Sequence, residues 1–192
     1  NSYQGLFHIV GSGGTVENLG VEDISVRGDT AGGIAGYLLG TVRRSYVTGG
    51  TVTALSSDSV GGIAGLVDDA EILDSYVTNL TVSSTTYSAA GGIAGAVLGG
   101  TEISRTFTNN VTVSIGESSL TGSAGGIVGD GSNSSSILQD SFSLATISST
   151  DGTTYLGNIA GKWGEFTGDN NYWLAQEGNT LGCVGSQLID EG

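Results

Sequence analysis

The chain has 192 residues, including 35 glycines and no proline, 38% of them hydrophobic, with a formal net charge of −14. That acidic balance opposes binding to nucleic acid or to an anionic membrane surface, and the richness in Val and Ile excludes a disordered linker. The single cysteine, Cys183, excludes an internal disulfide, so burial and backbone ladders must hold the fold.

In chain order the first recognisable unit is atypical: Gly5-Leu6-Phe7-His8, then Val10-Gly11. A five-residue segment then recurs as Gly32-Gly33-Ile34-Ala35-Gly36, Gly61-Gly62-Ile63-Ala64-Gly65, Gly91-Gly92-Ile93-Ala94-Gly95, Gly125-Gly126-Ile127-Val128-Gly129 and Gly157-Asn158-Ile159-Ala160-Gly161. The starts at 32, 61, 91, 125 and 157 lie 29, 30, 34 and 32 residues apart. Each of the first four copies is followed by a first β-branched stretch, at Thr41 to Thr48, Glu71 to Thr78, Glu102 to Thr108 and Ile137 to Ser143. A second stretch comes after it, at 51–53, 81–83, 112–114 and 146–148, and Gly, Ser, Asn and Asp punctuate the whole. No segment carries a 3.6-residue apolar stripe, so helices are not expected.

A unit of three short strands cannot bury a hydrophobic face alone, whereas stacked units share one continuous core. The sequence therefore predicts an all-β fold, a parallel β-solenoid (β-helix) of about six coils forming one domain over 1–192. At a strand spacing of about 4.8 Å it would be a rod on the order of 30 Å long. The recurring isoleucines should be buried. After Trp173 the strand periodicity ends while Leu181, Val184 and Leu188 remain apolar, so 174–192 is expected to cap the C-terminal coil. The N-terminal coil, with Leu6 and Phe7, is expected to stay open for a neighbouring domain or an identical subunit. No apolar run is long enough to span a membrane. With no methionine, Asn1 cannot be a retained start, which predicts a processed protein or a fragment of a longer one.

Aligning the coils on Tyr46, Tyr76, Phe107 and Phe142 places Val42, Ile72, Ile103 and Leu138 four residues earlier, and both sets are expected to point inward. Strict alternation then puts Arg44, Asp74, Arg105 and Asp140 on that same shielded face, with Asn18 and Asn170 at its ends. Opposite charges one rung apart attract, so an ion ladder is expected there; the competing reading is an active site of a polysaccharide-processing β-helix enzyme. In the second stretch Val52, Val82, Val113 and Ile147 should face inward. Thr51, Thr81, Thr112 and Thr146 then form one outward hydroxyl rank, and Thr53, Ser83, Ser114 and Ser148 another. Such ranks resemble ice-binding arrays, but β-propensity and solubility are the favoured explanation, since three of the four second-rank positions are Ser rather than Thr.

Loop oxygens at Asp68, Asp69 and Glu71, at Asp130 with Asn133, and at Asp169 with Asn170 are the candidates for Ca²⁺, although none has a calcium-loop pattern. No other cofactor is expected. Acceptor sequons occur at Asn79, Asn110 and Asn133. No nucleophile elbow, zinc motif or phosphate loop is present.

The pattern Gly-Gly-Ile-Ala-Gly, a loop, Ser-Tyr-Val-Thr and a Thr-rich strand resembles the GLUG-motif repeats of bacterial and archaeal surface proteins and immunoglobulin A peptidase-like chains. The opening Gly5-Leu6-Phe7 with Gly13-Gly14-Thr15-Val16-Glu17-Asn18-Leu19-Gly20, and the closing Asn170-Asn171-Tyr172-Trp173, are similar to the flanks of such arrays. His8 stands where a glycine is common. The resemblance implies an extracellular or cell-surface location and a stalk or spacer role, and it brings no catalytic residue with it. A non-catalytic structural or adhesive module is the resulting expectation, with glycans or ice as candidate partners of the hydroxyl ranks.

Overall fold

The computed structural model describes residues 2–173 apart from 57, 87–88, 117–121, 133–134, 151–154 and 165–166. It is a parallel β-solenoid built only of strands and turns among those residues. The first coil contributes Tyr3–Gln4, Phe7–Val10, Thr15–Glu17 and Gly20–Gly28, and each later coil repeats this order. The strands stack into four sheets, three of them six strands deep, and every pairing links successive coils in parallel. Each coil has four strand positions where the sequence pattern predicted three. The extra corner splits the first β-branched stretch into, for example, Thr41–Arg43 and Tyr46–Ala54.

The Gly-Gly-Ile-Ala-Gly segments form the corner between the first and second sheets. Their isoleucines, Ile34, Ile63, Ile93, Ile127 and Ile159, are wholly buried in one column. Glycine is required there by close approach rather than by backbone twist. A Cβ on Gly33, Gly62 or Gly92 would run into the carbonyl oxygen of the glycine in the next coil. In the last coil that second glycine is Asn158, also buried.

The core is a set of axial columns. Val42, Ile72, Ile103 and Leu138 have no exposed surface, and Val52, Val82 and Val113 likewise. Its N-terminal cross-section is uncovered among the described residues: Leu6, Phe7 and Ile9 remain 56%, 41% and 50% exposed. Residues 174–192, expected to cap the other end, and Cys183 lie outside the described residues. No helix among the described residues is long and apolar enough to cross a membrane.

Candidate functional site

The fourth sheet and the corner that leads into it carry most of the residues singled out by sequence. At that corner Asn18, Arg44, Asp74, Arg105, Asp140 and Asn170 share one left-handed conformation, with φ between 48° and 56°. A left-handed residue adds a half-turn of phase, so strict alternation fails across it. Val42 points in and Arg43 is half-exposed. Arg44 turns at the corner with its side chain exposed, Ser45 is buried, and Tyr46 faces outward before the buried Val47. Two expectations change accordingly. The Arg44, Asp74, Arg105, Asp140 column lies on the exposed surface instead of a shielded interior. The aromatic column, expected inside, is on the outside.

Exposure decides what the charged column does. Arg105 Nε and Asp74 Oδ1 are 2.6 Å apart, a bidentate pair with a second bond of 3.3 Å from Arg105 Nη2 to Asp74 Oδ2. The Arg105 guanidinium beside Asp74 holds its carboxyl below the usual carboxylate range. Arg44 turns the other way. Its guanidinium lies 2.7 Å from Glu17, which also binds Arg43, and it donates to Asn18 Oδ1 at 3.1 Å. Asp140 accepts from Asn170 Nδ2 at 3.0 Å. The column is thus a row of separate pairs, and Asp74 and Asp140 are kept two coils apart by Arg105.

An exposed ion pair contributes about 0–1 kcal/mol, whereas a left-handed conformation is tolerated by Asp and Asn and disfavours other side chains by roughly 1–2 kcal/mol. Asp74→Asn is therefore expected to be nearly neutral and Asp74→Leu measurably destabilising, by urea unfolding at pH 7. Because its folded-state pKa is lowered, the Asp74 contribution is present above the usual carboxylate pKa and lost as pH falls below it. The difference between wild type and Asp74→Asn should vanish in acid and shrink in high salt.

Past the corner, Tyr46, Tyr76, Phe107 and Phe142 stack face to face, with ring centroids 5.1, 4.8 and 4.9 Å apart and interplanar angles of 6°, 8° and 2°. Each such contact contributes about 0.5–1.5 kcal/mol beyond burial. The ladder stops at the first coil: the Tyr46 ring occupies the space a side chain at Gly20 would need, and its hydroxyl donates to Glu22 at 2.8 Å. That bond to Glu22 raises the Tyr46 pKa.

Beneath the rings runs a column that pattern reading missed. Ser45, Ser75, Thr106, Ser141 and Asn171 are buried. Ser45 N–H donates to Ser75 Oγ at 3.1 Å, Thr106 N–H to Ser141 Oγ at 3.1 Å and Ser141 N–H to Asn171 Oδ1 at 3.2 Å. Ser75 and Ser141 donate back to the carbonyls of Leu73 and Gln139 at 2.7 and 2.9 Å. These hydroxyls satisfy the backbone that the left-handed corner pulls out of the sheet ladder. Its signal was the tripeptide of Arg or Asp, Ser or Thr, then Tyr or Phe at 44–46, 74–76, 105–107 and 140–142.

Further along the same strands, Thr51, Thr81, Thr112 and Thr146 pair rung by rung with outward side chains, over buried Val52, Val82, Val113 and Ile147. Thr53, Ser83 and Ser114 are half-buried and Ser148 is exposed, with Thr53 and Ser83 hydroxyls 3.1 Å apart. Asp23, Gly49, Asn79 and Asn110 form a second left-handed column, where Asn110 Nδ2 donates to Asn79 Oδ1 at 2.8 Å. Tolerance of that conformation accounts for asparagine at both sequons. Asn133 lies outside the described residues.

The calcium candidates act as turn acceptors and ion partners. Asp68 accepts from the Tyr37 hydroxyl at 2.9 Å, Asp69 from Gly100 N–H at 2.7 Å, and Asp169 from Asn170 N–H at 2.9 Å. Asp130 accepts from Ser132 N–H at 2.8 Å and lies 3.8 Å from Lys162 Nζ. Burial, then the bond to Asp68, pushes the Tyr37 phenol up to about 12. No group of three or more His, Cys, Asp or Glu that could hold a metal occurs among the described residues.

One stretch holds all of these columns at once, running from the loop before Ser59–Gly61 through Asp74, Ser75, Tyr76 and Asn79 to the Thr81 strand. Residues 56–83 match the GLUG motif. In structural terms that GLUG segment is one coil: two glycine-lined strands, a left-handed corner, a buried hydroxyl, an outward ring and a Thr-bearing strand. The fold is also that of a crystal structure at 1.30 Å from Bacteroides ovatus, of a protein provisionally named an immunoglobulin A1 protease. The TM-score is 0.67 with 24% identity over 90% of this chain. The chain spans 55% of that structure's length. No curated protein matches the chain.

Proposed function

We propose that this chain is a rigid, non-catalytic extracellular spacing module, part of a longer surface protein, whose N-terminal coil docks a neighbouring domain or an identical subunit. The observation that carries the reading is the unbroken core. Buried columns run from Val10 through Ile159 and, among the described residues, each coil's strands pair only with those of the coils beside it, an arrangement that transmits length and stiffness. The GLUG match and the greater length of the Bacteroides ovatus protein support placement in a larger surface chain.

At the N-terminal end, the free edge of Phe7–Val10 and the exposed Leu6, Phe7 and Ile9 support docking. The aromatic ladder closes at Gly20, and the hydroxyl column gives way to Leu19, whose N–H donates to Ser45 Oγ at 3.2 Å. A partner there is accordingly expected to differ from another coil of the same repeat.

Sedimentation of the purified chain and of a Leu6→Asp, Phe7→Asp variant tests the docking end, and incubation of both preparations with immunoglobulin A1 tests the absence of catalysis. The expected outcome is association lost in the variant and intact immunoglobulin heavy chain with either. A strictly monomeric wild type removes the subunit form of docking, and specific cleavage overturns the non-catalytic reading.

A further inference from the structure

We propose that the outer face of the fourth sheet binds a neutral linear polysaccharide laid along the solenoid axis. The first observation is electrostatic. Although the chain carries −14, residues 46–54, 76–84, 107–115 and 142–149 contain no charged side chain. Charge is confined to the borders, with Glu22, Asp23 and Arg27 on the first coil and Arg44, Asp74, Arg105 and Asp140 along the corner. An uncharged face inside an acidic field repels polyanions and gains nothing from a cationic partner on its own surface. It suits an uncharged one.

The second observation is the chemistry of that face. Threonine hydroxyls both donate and accept, and asparagine amides do the same through separate atoms, which is the complement of a sugar's hydroxyls. Part of the array is pre-ordered by bonds along the axis: Asn110 to Asn79, Thr78 to Thr48 at 2.9 Å, and Thr53 with Ser83. Thr51, Thr81 and Thr112 are exposed, and their hydroxyls have no side-chain partner among the described residues. They are left to face a ligand. The stacked aromatic rings cover one another's faces and wall one border of this surface.

Repetition supplies the third argument. A polymer running along the axis meets an amide or hydroxyl set once per coil, at about 4.8 Å, close to the residue repeat of an extended β-linked hexosan. Individually weak contacts then add through chain length. Ice is the competing occupant and is disfavoured by geometry. The second rank is mostly half-buried, two of its hydroxyls, on Thr53 and Ser83, bond to each other, and the register slips between Asn109 and Val111 against the next coil. A flexible glycan tolerates such a step and a crystal lattice does not.

The inference does not rest on the spacing role, and its failure would leave that role intact. The test is calorimetric titration of the purified chain with cellohexaose, mannohexaose and xylohexaose, with hexagalacturonate as the anionic control and the matching trisaccharides for length. The variant is Thr81→Val with Thr112→Val, which removes two hydroxyls and keeps strand propensity. Glu71→Gln on the third sheet is the surface control. The expected result is binding of at least one neutral hexaose, insensitive to salt and weaker for its trisaccharide. In the Thr81→Val, Thr112→Val variant affinity should fall about tenfold or more with an unchanged melting temperature. Glu71→Gln should bind as wild type does. The proposal is overturned if no neutral hexaose binds, if hexagalacturonate binds as tightly, or if the double variant keeps full affinity. Thermal hysteresis without sugar affinity would give the face to ice instead.

Discussion

Replacing Gly92 by valine is expected to lower the melting temperature more than any surface change, while Gly100→Ala leaves it unchanged. A Cβ at Gly92 would fall on the carbonyl oxygen of Gly126 in the next coil and 2.8 Å from Thr108 Cγ2. That oxygen cannot withdraw, because the backbone on either side is pinned: Gly92 N–H bonds to Gly125 O at 3.1 Å and Ile93 N–H to Ile127 O at 2.9 Å. Overpacking of this kind costs about 1–3 kcal/mol or more. For a domain of this size the upper figure corresponds to a fall of roughly 6–12 °C. At Gly100 the nearest atom to an added Cβ is Asp69 Oδ1 at 3.6 Å, ordinary contact, and the N–H bond to that oxygen survives alanine. Circular dichroism melts of both variants decide the matter. Equal melting temperatures would mean that the coils can part locally, and that the glycines reflect turn propensity alone.

The same contact explains how much of the fold was legible. Spacings near thirty residues, with glycine at positions where only a hydrogen fits, record the stacking itself, so the solenoid and the buried isoleucines could be read directly. What alternation could not show was the phase change at Arg44, Asp74, Arg105 and Asp140. The period-two rule assumes extended backbone throughout, and one left-handed residue reverses which side chains point inward. Arginine disguised that corner, since Arg is an unusual residue to hold there, whereas Asn18, Asp74, Asp140 and Asn170 are the types that tolerate it. Taken as a column, those four were the clue. The aromatic residues were placed inside because large apolar rings are commonly buried. In a narrow coil, Val47, Val77, Thr108 and Ser143 fill that interior, and the rings stack on one another outside.

A cavity in the middle of the stack is expected to cost at the high end of the range for its type. Ile93 is fully buried, and the isoleucine column continues above and below it at Ile63 and Ile127. In a globular core, neighbours relax into the space left by a truncated side chain, and the cost falls with the volume they fill. Here the backbone spacing is fixed by Ile63 N–H to Ile93 O at 2.9 Å and Ile93 N–H to Ile127 O at 2.9 Å, so axial collapse is blocked. Ile93→Ala should therefore lose about 4–5 kcal/mol out of the 2–5 kcal/mol seen for such truncations. Because a solenoid's stability is a sum of coil and nearest-neighbour terms, the loss should also be local. Amide exchange is expected to accelerate in the coils holding Ile63, Ile93 and Ile127 more than at Val42 or Val52. Urea unfolding followed by circular dichroism gives the magnitude, and exchange by mass spectrometry gives the location. A loss under about 2 kcal/mol, or exchange raised evenly along the chain, would show that the stack relaxes as a globular core does.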